Sequence, residues 1–308
     1  MPSRIFLTAL ELDVFGHLGS EALSAHDIAY RMRTDVRATE LLLNALVGMK
    51  ILNKNNGLYS IPDPSRDLLD SNNSNYYGGT LLHSANLWSA WSHLTEVVKN
   101  GWPPPRRWTP EMSCDLAISL AGDIEGVVAK MAMVLDCSSI KRLLDLGGGS
   151  GSFAIELANL YKSIQAVIYD NDSEALSMAM QKIENLKLIQ RVQVRKGDFM
   201  IDELGDGYDM ISLSFILCLF NLKENTFLLK KVYAALEEGG RVIIRDAFLD
   251  DSHTSPVHSA VFAINMLVAT LHGRAYAYSE IKDLLEGAGF KDVYKIPIKG
   301  LDLAVGRK

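Results

Sequence analysis

A glycine-rich segment in the middle of the chain has the residue types of a nucleotide-binding loop. The segment reads Leu-Asp-Leu-Gly-Gly-Gly-Ser-Gly from residue 144 onward, with Gly147, Gly149 and Gly151 at alternate positions. Glycines between a strand and a helix let a ligand approach the backbone closely. Asp145 precedes this loop, and its carboxylate can accept hydrogen bonds from an ammonium group. The segment therefore predicts a ligand that carries an ammonium group.

The spacing of these glycines argues against a nicotinamide dinucleotide. The dinucleotide fingerprint G-x-G-x-x-G would require its third glycine at position 152, where this chain has serine. Nicotinamide dinucleotides also lack the ammonium group that Asp145 could bind, whereas S-adenosylmethionine has one. The loop therefore favours S-adenosylmethionine as cofactor and disfavours a nicotinamide dehydrogenase.

Two further acids stand where a nucleoside would need them. Asp170 ends the second predicted strand, before Asn171, and a carboxylate there can accept from both ribose hydroxyls. Asp198 follows the third strand, where it can accept from the adenine amino group while Phe199 packs on the ring. A single Asp at a strand end is usually a cap or turn residue. Three acids after three successive strands predict one nucleoside site.

The elements that carry these residues alternate between strand and helix. Apolar strands are predicted at 142–146, 164–169, 192–195, 209–214 and 241–245, and helices at 112–135, 153–160, 173–187 and 223–237. Gly239 and Gly240 are predicted to stop the last of these helices, and a final strand pair is predicted at 292–297 and 301–306. Strands rich in β-branched residues that alternate with helices predict an α/β fold with a parallel sheet covered on both faces.

The first hundred residues predict a helical domain with the element order of a winged helix. Leu7, Leu10, Val14 and Leu18 recur at helical spacing, and Ser24 is a candidate N-cap. A hairpin is predicted over 51–61, with Asn56-Gly57 as its turn. A DNA-binding role is disfavoured because the candidate recognition helix is rich in leucine and offers only Arg37 near its start. An apolar helix of this kind is better suited to a buried dimer interface.

Composition excludes several classes of partner. The 308 residues carry 31 Lys and Arg against 37 Asp and Glu, a net charge of −6, which does not suit a nucleic-acid binder. The longest apolar stretch, 259–271, is shorter than a membrane span. Three widely spaced cysteines suggest no metal site and suit a reducing compartment, so we expect a cytoplasmic protein without a membrane or nucleic-acid partner.

All four tryptophans fall within residues 71–110, close to a run of three prolines. These residues are Trp88, Trp91, Trp102 and Trp108, with Pro103 to Pro105. Two interpretations stay open: the tryptophans pack between two domains, or some of them wall an aromatic substrate pocket. The prolines cannot continue a helix and indicate a joint between domains at 1–100 and 101–308.

Several motifs together resemble one protein family. They are the Gly-Gly-Gly-Ser-Gly loop, the N-terminal Ala-Leu-Glu-Leu-Asp-Val-Phe at 9–15, the Gly-Leu-Tyr at 57–59, and the Ala-Gly-Phe at 288–290. The chain resembles the class I S-adenosylmethionine-dependent methyltransferases, in the branch of plant caffeate-type, acetylserotonin and bacterial antibiotic-pathway O-methyltransferases. The resemblance implies a Rossmann-like, mostly parallel sheet with one reversed strand, an N-terminal winged-helix domain that forms a homodimer, and an acceptor pocket between the domains.

The resemblance also implies site residues. The cofactor site would comprise Asp145, Gly147, Gly149, Gly151, Asp170, Asn171, Asp198 and Phe199, with Ser214 near the methionine end. O-methylating relatives place a His-Asp pair after the fourth strand, where this chain has Cys218 and Leu219. The acid that these relatives place before the last helix has no counterpart at 273–276.

The missing histidine leaves three chemical interpretations open. The first is O-methylation of a small aromatic or polyketide-like acceptor, with a base supplied by His83, His93, His258 or His272. The second is C- or S-methylation of a more acidic acceptor, which needs no such base. The third is participation of Cys218 itself.

The side chains around position 218 predict an apolar acceptor site. Phe215, Cys218, Phe262 and Met266 are expected to form an apolar wall around the acceptor ring. A different class of function is a non-catalytic cofactor-binding scaffold or a winged-helix regulator, which the missing His-Asp pair would also allow.

Overall fold

The computed structural model describes residues 1–73, 76–105, 107–122, 127–298 and 302–308. Fourteen α-helices lie in these ranges: α1 (Pro2–Glu11), α2 (Val14–Leu18), α3 (Ala25–Met32), α4 (Val36–Gly48), α5 (Asp63–Leu69), α6 (Gly78–Ser92), α7 (Leu94–Asn100), α8 (Pro110–Gly122), α9 (Val127–Leu135), α10 (Ser152–Leu160), α11 (Ser173–Asn185), α12 (Leu222–Ala235), α13 (Val257–Ala269) and α14 (Tyr278–Ala288). Short 3₁₀ helices lie at Cys137–Ser139 and Leu217–Leu219. Among the described residues, none of the helices is both long and apolar enough to cross a bilayer.

Ten strands complete the described chain and form two sheets. The strands are β1 (Leu23–Ser24), β2 (Asn53–Asn55), β3 (Leu58–Ser60), β4 (Arg142–Leu146), β5 (Gln165–Asp170), β6 (Val192–Lys196), β7 (Tyr208–Ser214), β8 (Leu236–Arg245), β9 (Lys291–Ile296) and β10 (Leu303–Arg307). The chain divides into two compact units, one of Met1–Trp88 with Ile118–Gly122 and one of Ser89–Ala117 with Asp123–Lys308.

The N-terminal unit begins with two helices where the apolar spacing predicts one. The break falls at Asp13, whose backbone is left-handed at φ 51°. Its carboxylate accepts from the backbone N–H of Gly16 at 3.2 Å and from the hydroxyl of Ser71 at 3.0 Å. Asp tolerates this conformation and caps the next helix at the same time. Periodicity alone did not reveal the break, because both helices bury their apolar residues in one core.

The rest of this unit follows the predicted order. Ser24 caps α3 in a capping box with Asp27, and α4 begins after Asp35. The hairpin of β2 and β3 turns at Asn56 and Gly57, both at positive φ, and β1 pairs with β3. The predicted helices and hairpin are therefore present. The winged-helix assignment itself stays a prediction.

The C-terminal unit contains a seven-stranded sheet in the order β6-β5-β4-β7-β8-β10-β9. Neighbours from β6 to β8 run parallel, whereas β10 is antiparallel to both β8 and β9. The mostly parallel sheet with one reversed strand is thus confirmed. Residues 299–301, which include the Lys-Gly predicted at the turn of the last strand pair, lie outside the described residues.

Helices cover both faces of this sheet. On one face α9, α10 and α11 bury their apolar side chains against Leu143, Ile168 and Met210. On the other face α12 and α14 pack on Leu144, Ile211 and Ile244. The near-continuous apolar strands of the sequence follow from this double coverage.

One predicted boundary is wrong. Helix α12 ends at Ala235, before the glycines that were expected to stop it, because β8 already starts at Leu236. Gly239 and Gly240 lie inside β8, at the irregularity in its pairing with β7. The helix predicted over 112–135 is described as α8 and α9, and residues 123–126 between them lie outside the described residues.

The parallel strands all end at one edge of the sheet. The residues after β4, β5, β6 and β7 are therefore neighbours in space although they lie far apart in the chain. Backbone hydrogen bonds tie these ends together: the N–H of Gly147 donates to Tyr169 at 2.7 Å, and that of Gly197 donates to Asp170 at 3.0 Å. Ligands of open α/β sheets bind outside this carboxyl edge.

Candidate cofactor and acceptor site

The glycine loop turns from β4 into α10 through left-handed conformations. The φ angles of Gly147, Gly149 and Gly151 are 69°, 54° and 70°. A Cβ at Gly147 would collide with Ile216, and one at Gly151 would collide with Ile168. A Cβ at Gly149 would meet no atom within 4 Å among the described residues. The backbone at Gly149 is therefore open to a ligand, as a cofactor cradle requires.

Asp145 is a buried acid with unused hydrogen-bonding capacity. Its side chain is 1% exposed, and its Oδ1 accepts from the hydroxyl of Ser212 at 2.5 Å. Within the described part of the chain, its buried Oδ2 has no hydrogen-bond partner. Burial raises the pKa of Asp145 to about 6, against the lowering effects of the Ser212 hydrogen bond, the nearby backbone N–H of Ala154 and the Arg245 charge. A buried acceptor of this kind suits a cationic donor such as an ammonium group.

Asp170 links the glycine loop to the end of β5. Its Oδ2 accepts from the N–H of Gly149 at 2.8 Å, and its Oδ1 accepts from the N–H of Asp172 at 2.9 Å. Burial raises the pKa of this carboxyl, and the two backbone donors oppose that rise. Each carboxylate oxygen keeps a second lone pair for a hydroxyl. Asn171 follows and is exposed.

Asp198 and Phe199 follow β6, and Phe199 borders the same loop. Both residues are half-buried. The carboxylate of Asp198 accepts from the N–H of Met200 at 2.9 Å, which fixes the turn after the strand. A Cβ placed on Gly147 would lie 3.7 Å from the Phe199 ring. The ring therefore borders the glycine loop, as expected of a residue that packs on an adenine.

The end of β7 presents an aromatic pair. Ser214 is half-buried and is followed by Phe215, whose φ of 53° is unusual for a residue other than glycine. The ring centroids of Phe215 and Phe262 are 5.6 Å apart with the planes tilted at 55°. The structure thus brings together two of the four residues predicted to contact the acceptor.

The other two residues of that set are almost completely buried. Met266 is 8% exposed and Cys218 is fully buried. The backbone N–H of Cys218 donates to Oδ2 of Asp246 at 3.1 Å. Burial, and secondarily the neighbouring Asp246, raises the pKa of the Cys218 thiol well above its ordinary value. The thiol is therefore protonated at neutral pH and is suited neither to accept a proton nor to act as a nucleophile.

Sequence reasoning missed a charged pair at the end of β8. Asp246 is 4% exposed and accepts from the N–H groups of Cys218 and Ala247, and burial raises its pKa to about 6. Arg245 is 3% exposed. The signal was present, since both residues directly follow the apolar run at 242–244. The rule that identified Asp145 and Asp170 applies equally to this strand end.

The candidate histidines have other roles or surroundings. Nδ1 of His93 lies 2.8 Å from the carbonyl oxygen of Ser89, and Nδ1 of His272 lies 3.3 Å from Glu224. His258 is exposed at the start of α13, and His83 is half-buried in the N-terminal unit. None of these contacts includes the end of β7.

The tryptophans are similarly dispersed. Trp91 donates from Nε1 to Asn265 at 3.1 Å, and Trp108 donates to the hydroxyl of Ser113 at 2.6 Å. Trp88 is 43% exposed and Trp102 is 64% exposed. Their predicted role in an acceptor pocket stays a prediction.

The fold and the site together define a class of protein. A seven-stranded sheet with one reversed strand, a glycine loop after its first strand and acids after its first three strands are typical of class I methyltransferases that use S-adenosylmethionine. The O-methyltransferase domain family matches residues 115–291, and the O-methyltransferase dimerisation domain matches residues 1–71. The chain belongs to this O-methyltransferase family, and it is an enzyme that uses S-adenosylmethionine as cofactor.

Curated relatives and solved structures match nearly the whole chain. The chain is 29% identical to the tetracenomycin polyketide synthesis 8-O-methyl transferase TcmO of Streptomyces glaucescens, covering 99% of this chain and 93% of that protein. It is 29% identical to acetylserotonin O-methyltransferase of Gallus gallus, over 99% and 94%. The structure of PigF with SAH aligns with a TM-score of 0.90 at 28% identity, over 99% and 96%; PigF comes from a Serratia species.

Proposed function

We propose that this enzyme transfers the methyl group of S-adenosylmethionine to a hydroxyl oxygen of a small aromatic or polyketide-like acceptor. The observation that carries the proposal is that three acids and the glycine loop stand at the carboxyl ends of the neighbouring strands β4, β5 and β6, in a chain of the O-methyltransferase family. Several relatives are named for such acceptors, including TcmO and a 3-hydroxy-5-methyl-1-naphthoate 3-O-methyltransferase of Streptomyces sahachiroi.

Each part of the cofactor has a candidate partner. Asp145 would accept from its ammonium group with the oxygen that lacks a partner among the described residues. Asp170 would hold the ribose hydroxyls, with Asn171 beside it, and Asp198 with Phe199 would hold the adenine. Ser214 would lie near the methionine end. When bound, the cofactor supplies a methyl group already activated on a sulfonium.

The main task of the protein is to orient the acceptor. Alignment of the acceptor oxygen with the methyl group can lower the activation barrier by about 7–11 kcal/mol. The Phe215 and Phe262 rings offer an apolar surface to an aromatic acceptor, and Met266 and Cys218 would pack behind them. An apolar surrounding also favours the reaction because positive charge disappears along its course.

Cys218 cannot take the proton from the hydroxyl of the methyl acceptor, because its buried thiol is itself protonated. We therefore propose that the acceptor reacts as a phenolate that is already ionised near neutral pH. The pH dependence of the rate with a series of phenols should follow the pKa of each phenol. A pH profile identical for all phenols would instead indicate a base on the enzyme.

The cofactor assignment is tested by substitution of Asp170. Asp170→Ala should weaken the binding of S-adenosylhomocysteine by at least about tenfold in calorimetry, since two hydroxyls lose a charged acceptor. Asp172→Ala is the matched control: Asp172 caps α11 through the N–H groups of Glu174 and Ala175, so this substitution should cost stability and leave affinity unchanged. Equal affinity of Asp170→Ala and wild type would contradict the ribose assignment.

The acceptor class is tested by product analysis. Purified enzyme, labelled S-adenosylmethionine and a panel of naphthols, phenols, thiols and activated carbon acids should give aryl methyl ethers from the hydroxylated aromatics. A relative named L-tyrosine C(3)-methyltransferase, from Streptomyces lavendulae, is 35% identical over 51% of this chain. If the products are methylated on a ring carbon instead, the enzyme is a C-methyltransferase and the proposal of O-methylation is wrong. Binding without turnover on the whole panel would favour the non-catalytic scaffold.

The assembly and location are proposed on separate grounds. The match of residues 1–71 to a dimerisation domain supports a homodimer formed through the N-terminal domain, which we place at 1–100, ahead of the catalytic domain at 101–308. The three cysteines are unpaired, with Cys137 and Cys218 buried. Unpaired cysteines suit the reducing cytoplasm.

A further inference from the structure

The inference concerns Arg245, a buried cation at the carboxyl edge of the sheet. It rests on the proposed cofactor site. Arg245 is the last residue of β8 and is 3% exposed. An arginine this deeply buried requires anionic or aromatic neighbours, because an uncompensated buried charge is costly.

The side chain of Arg245 lies on the same face of the sheet as Asp145. Side chains alternate along a strand. On β8, Val242 and Ile244 join the core under α12 and α14, whereas Ile243 joins the core under α10 and α11, so Arg245 shares the face of Ile243.

The same alternation applies to β4 and β7. Asp145 follows Leu144 and shares the face of Leu143, and Ser212 and Ser214 share the face of Met210. These polar residues therefore form a group at the ends of three adjacent strands, on the face that also carries the glycine loop's helix α10.

The pairing register fixes the neighbours of Arg245. Ser214 of β7 is its direct partner, and Ser212 of β7 is the direct partner of Asp145. The Arg245 guanidinium lies 5.1 Å from the centroid of the Phe215 ring, and Phe215 directly follows Ser214 in the chain. The positive charge of Arg245 is close enough to Asp145 to lower the pKa of its carboxyl.

We propose that Arg245 binds the α-carboxylate of the cofactor's methionine moiety while Asp145 binds its α-ammonium. The two groups of an amino acid sit on one carbon, so they need an anionic and a cationic partner close together. Asp145 and Arg245 provide such a pair across β7. An arginine fork also matches the geometry of a carboxylate.

A purely structural role would have a different consequence. Arg245 is also close enough to Asp246 to lower the pKa of that buried acid. If Arg245 only neutralised Asp145 and Asp246, its replacement would lower stability and would affect all ligands alike. A carboxylate-binding role changes the discrimination between ligands that do and do not carry a carboxylate.

The test compares the binding of S-adenosylmethionine and decarboxylated S-adenosylmethionine by calorimetry. Wild type should bind the decarboxylated compound at least about 30-fold more weakly, as expected for loss of one partner of a buried charge pair. Arg245→Met should bind both compounds with affinities within about threefold of each other. Arg245→Lys should retain part of the discrimination, since it keeps the charge and loses the fork.

Arg241→Met is the matched control on the same strand. Arg241 donates to the carbonyl oxygens of Leu135 and Asp136, so its loss should lower stability and leave the discrimination at the wild-type value. Discrimination below threefold in wild type, or an unchanged ratio in Arg245→Met, would overturn the inference. If Arg245→Met does not fold, the wild-type ratio and Arg245→Lys decide it. Failure of wild type to bind S-adenosylmethionine at all would instead refute the proposed cofactor site.

Discussion

Asp145 combines burial with an incomplete set of hydrogen bonds, and this combination gives it a measurable pH signature. Burial raises its pKa to about 6 in the free protein. Binding of an ammonium group would favour the ionised form and lower that pKa again. The acid is therefore a source of affinity for a cation and, in the free protein, a source of instability.

We expect the affinity for S-adenosylhomocysteine to fall as the pH is lowered from 7 to 5. Below about pH 6 the carboxyl of Asp145 binds a proton that the ammonium ligand must displace, which weakens binding by up to tenfold per pH unit. Calorimetry across this range should show the loss, and Asp145→Asn should bind weakly with a flat profile. A profile of wild type that is equally flat would contradict ammonium binding at Asp145.

The stability of the free protein should show the opposite trend. A carboxyl whose folded pKa lies above its unfolded value destabilises the fold progressively as the pH rises from about 4 to about 6, and Asp145 and Asp246 both do so. Asp145→Asn should therefore make the free protein more stable than wild type at pH 7, by up to about 3 kcal/mol. Denaturant unfolding at pH 4 and pH 7 measures this; a loss of stability at pH 7 would show that the charge of Asp145 is compensated within the free protein.

The three thiols should differ sharply in reactivity. Burial raises the pKa of all three thiols, but Cys137 and Cys218 are fully buried and inaccessible to a reagent, whereas Cys114 is half-buried. Brief alkylation at neutral pH followed by mass spectrometry should label only Cys114 in the native protein and all three thiols in denaturant. Labelling of Cys218 in the native protein would reopen its participation in the chemistry.

At the scale of elements, the glycines of the strand–loop–helix unit from β4 to α10 are required for different structural reasons. Gly147 and Gly151 are required because neighbouring isoleucines occupy the space of a Cβ. Gly149 has open space beside it, so the fold requires only its left-handed backbone.

Gly149→Ala should therefore fold with a modest loss of stability and bind cofactor poorly. The strain of a left-handed alanine is about 1–2 kcal/mol, and the added methyl group would enter the cofactor cradle. Gly239→Ala is the matched control, because Gly239 has φ 78° and equally open space but lies within β8 at the opposite end from Arg245. Both variants should lose similar stability in denaturant unfolding, and only Gly149→Ala should lose affinity, by at least about tenfold. Equal affinities would mean that no ligand approaches Gly149.

At the scale of the whole molecule, the dimerisation match predicts an assembly of two chains. Light scattering should give a mass of twice the 34.0 kDa chain mass at micromolar concentration. A monomer at these concentrations would contradict the proposed dimer.

Ligand binding should raise stability independently of the assembly: saturation with S-adenosylhomocysteine at 100 times its Kd should add about 2.7 kcal/mol to the free energy of unfolding of the unit that binds it.

The sequence alone predicted those features that depend on residues close together in the chain. Alternating apolar strands and helices predicted the α/β sheet, and Asn56-Gly57 predicted the hairpin turn. That the glycines with Asp145, Asp170 and Asp198 form one cofactor site stays a prediction. The apolar pattern of each strand and the residue at its end can be read directly from the sequence. The carboxyl ends of parallel strands must lie at the same edge of the sheet. The reversed last strand was implied by the family resemblance and confirmed by the pairing of β10.

The tertiary structure decided what depends on partners distant in the chain. The break at Asp13 depends on Ser71, the hydrogen bond of the Cys218 backbone N–H depends on Asp246, and the position of Arg245 across β7 from Asp145 depends on the strand order. Sequence spacing contains no information on which strands become neighbours or on which face a helix will cover. The position of an acid or base along the chain therefore suggested its chemistry, whereas burial and strand register determined its pKa and its partners.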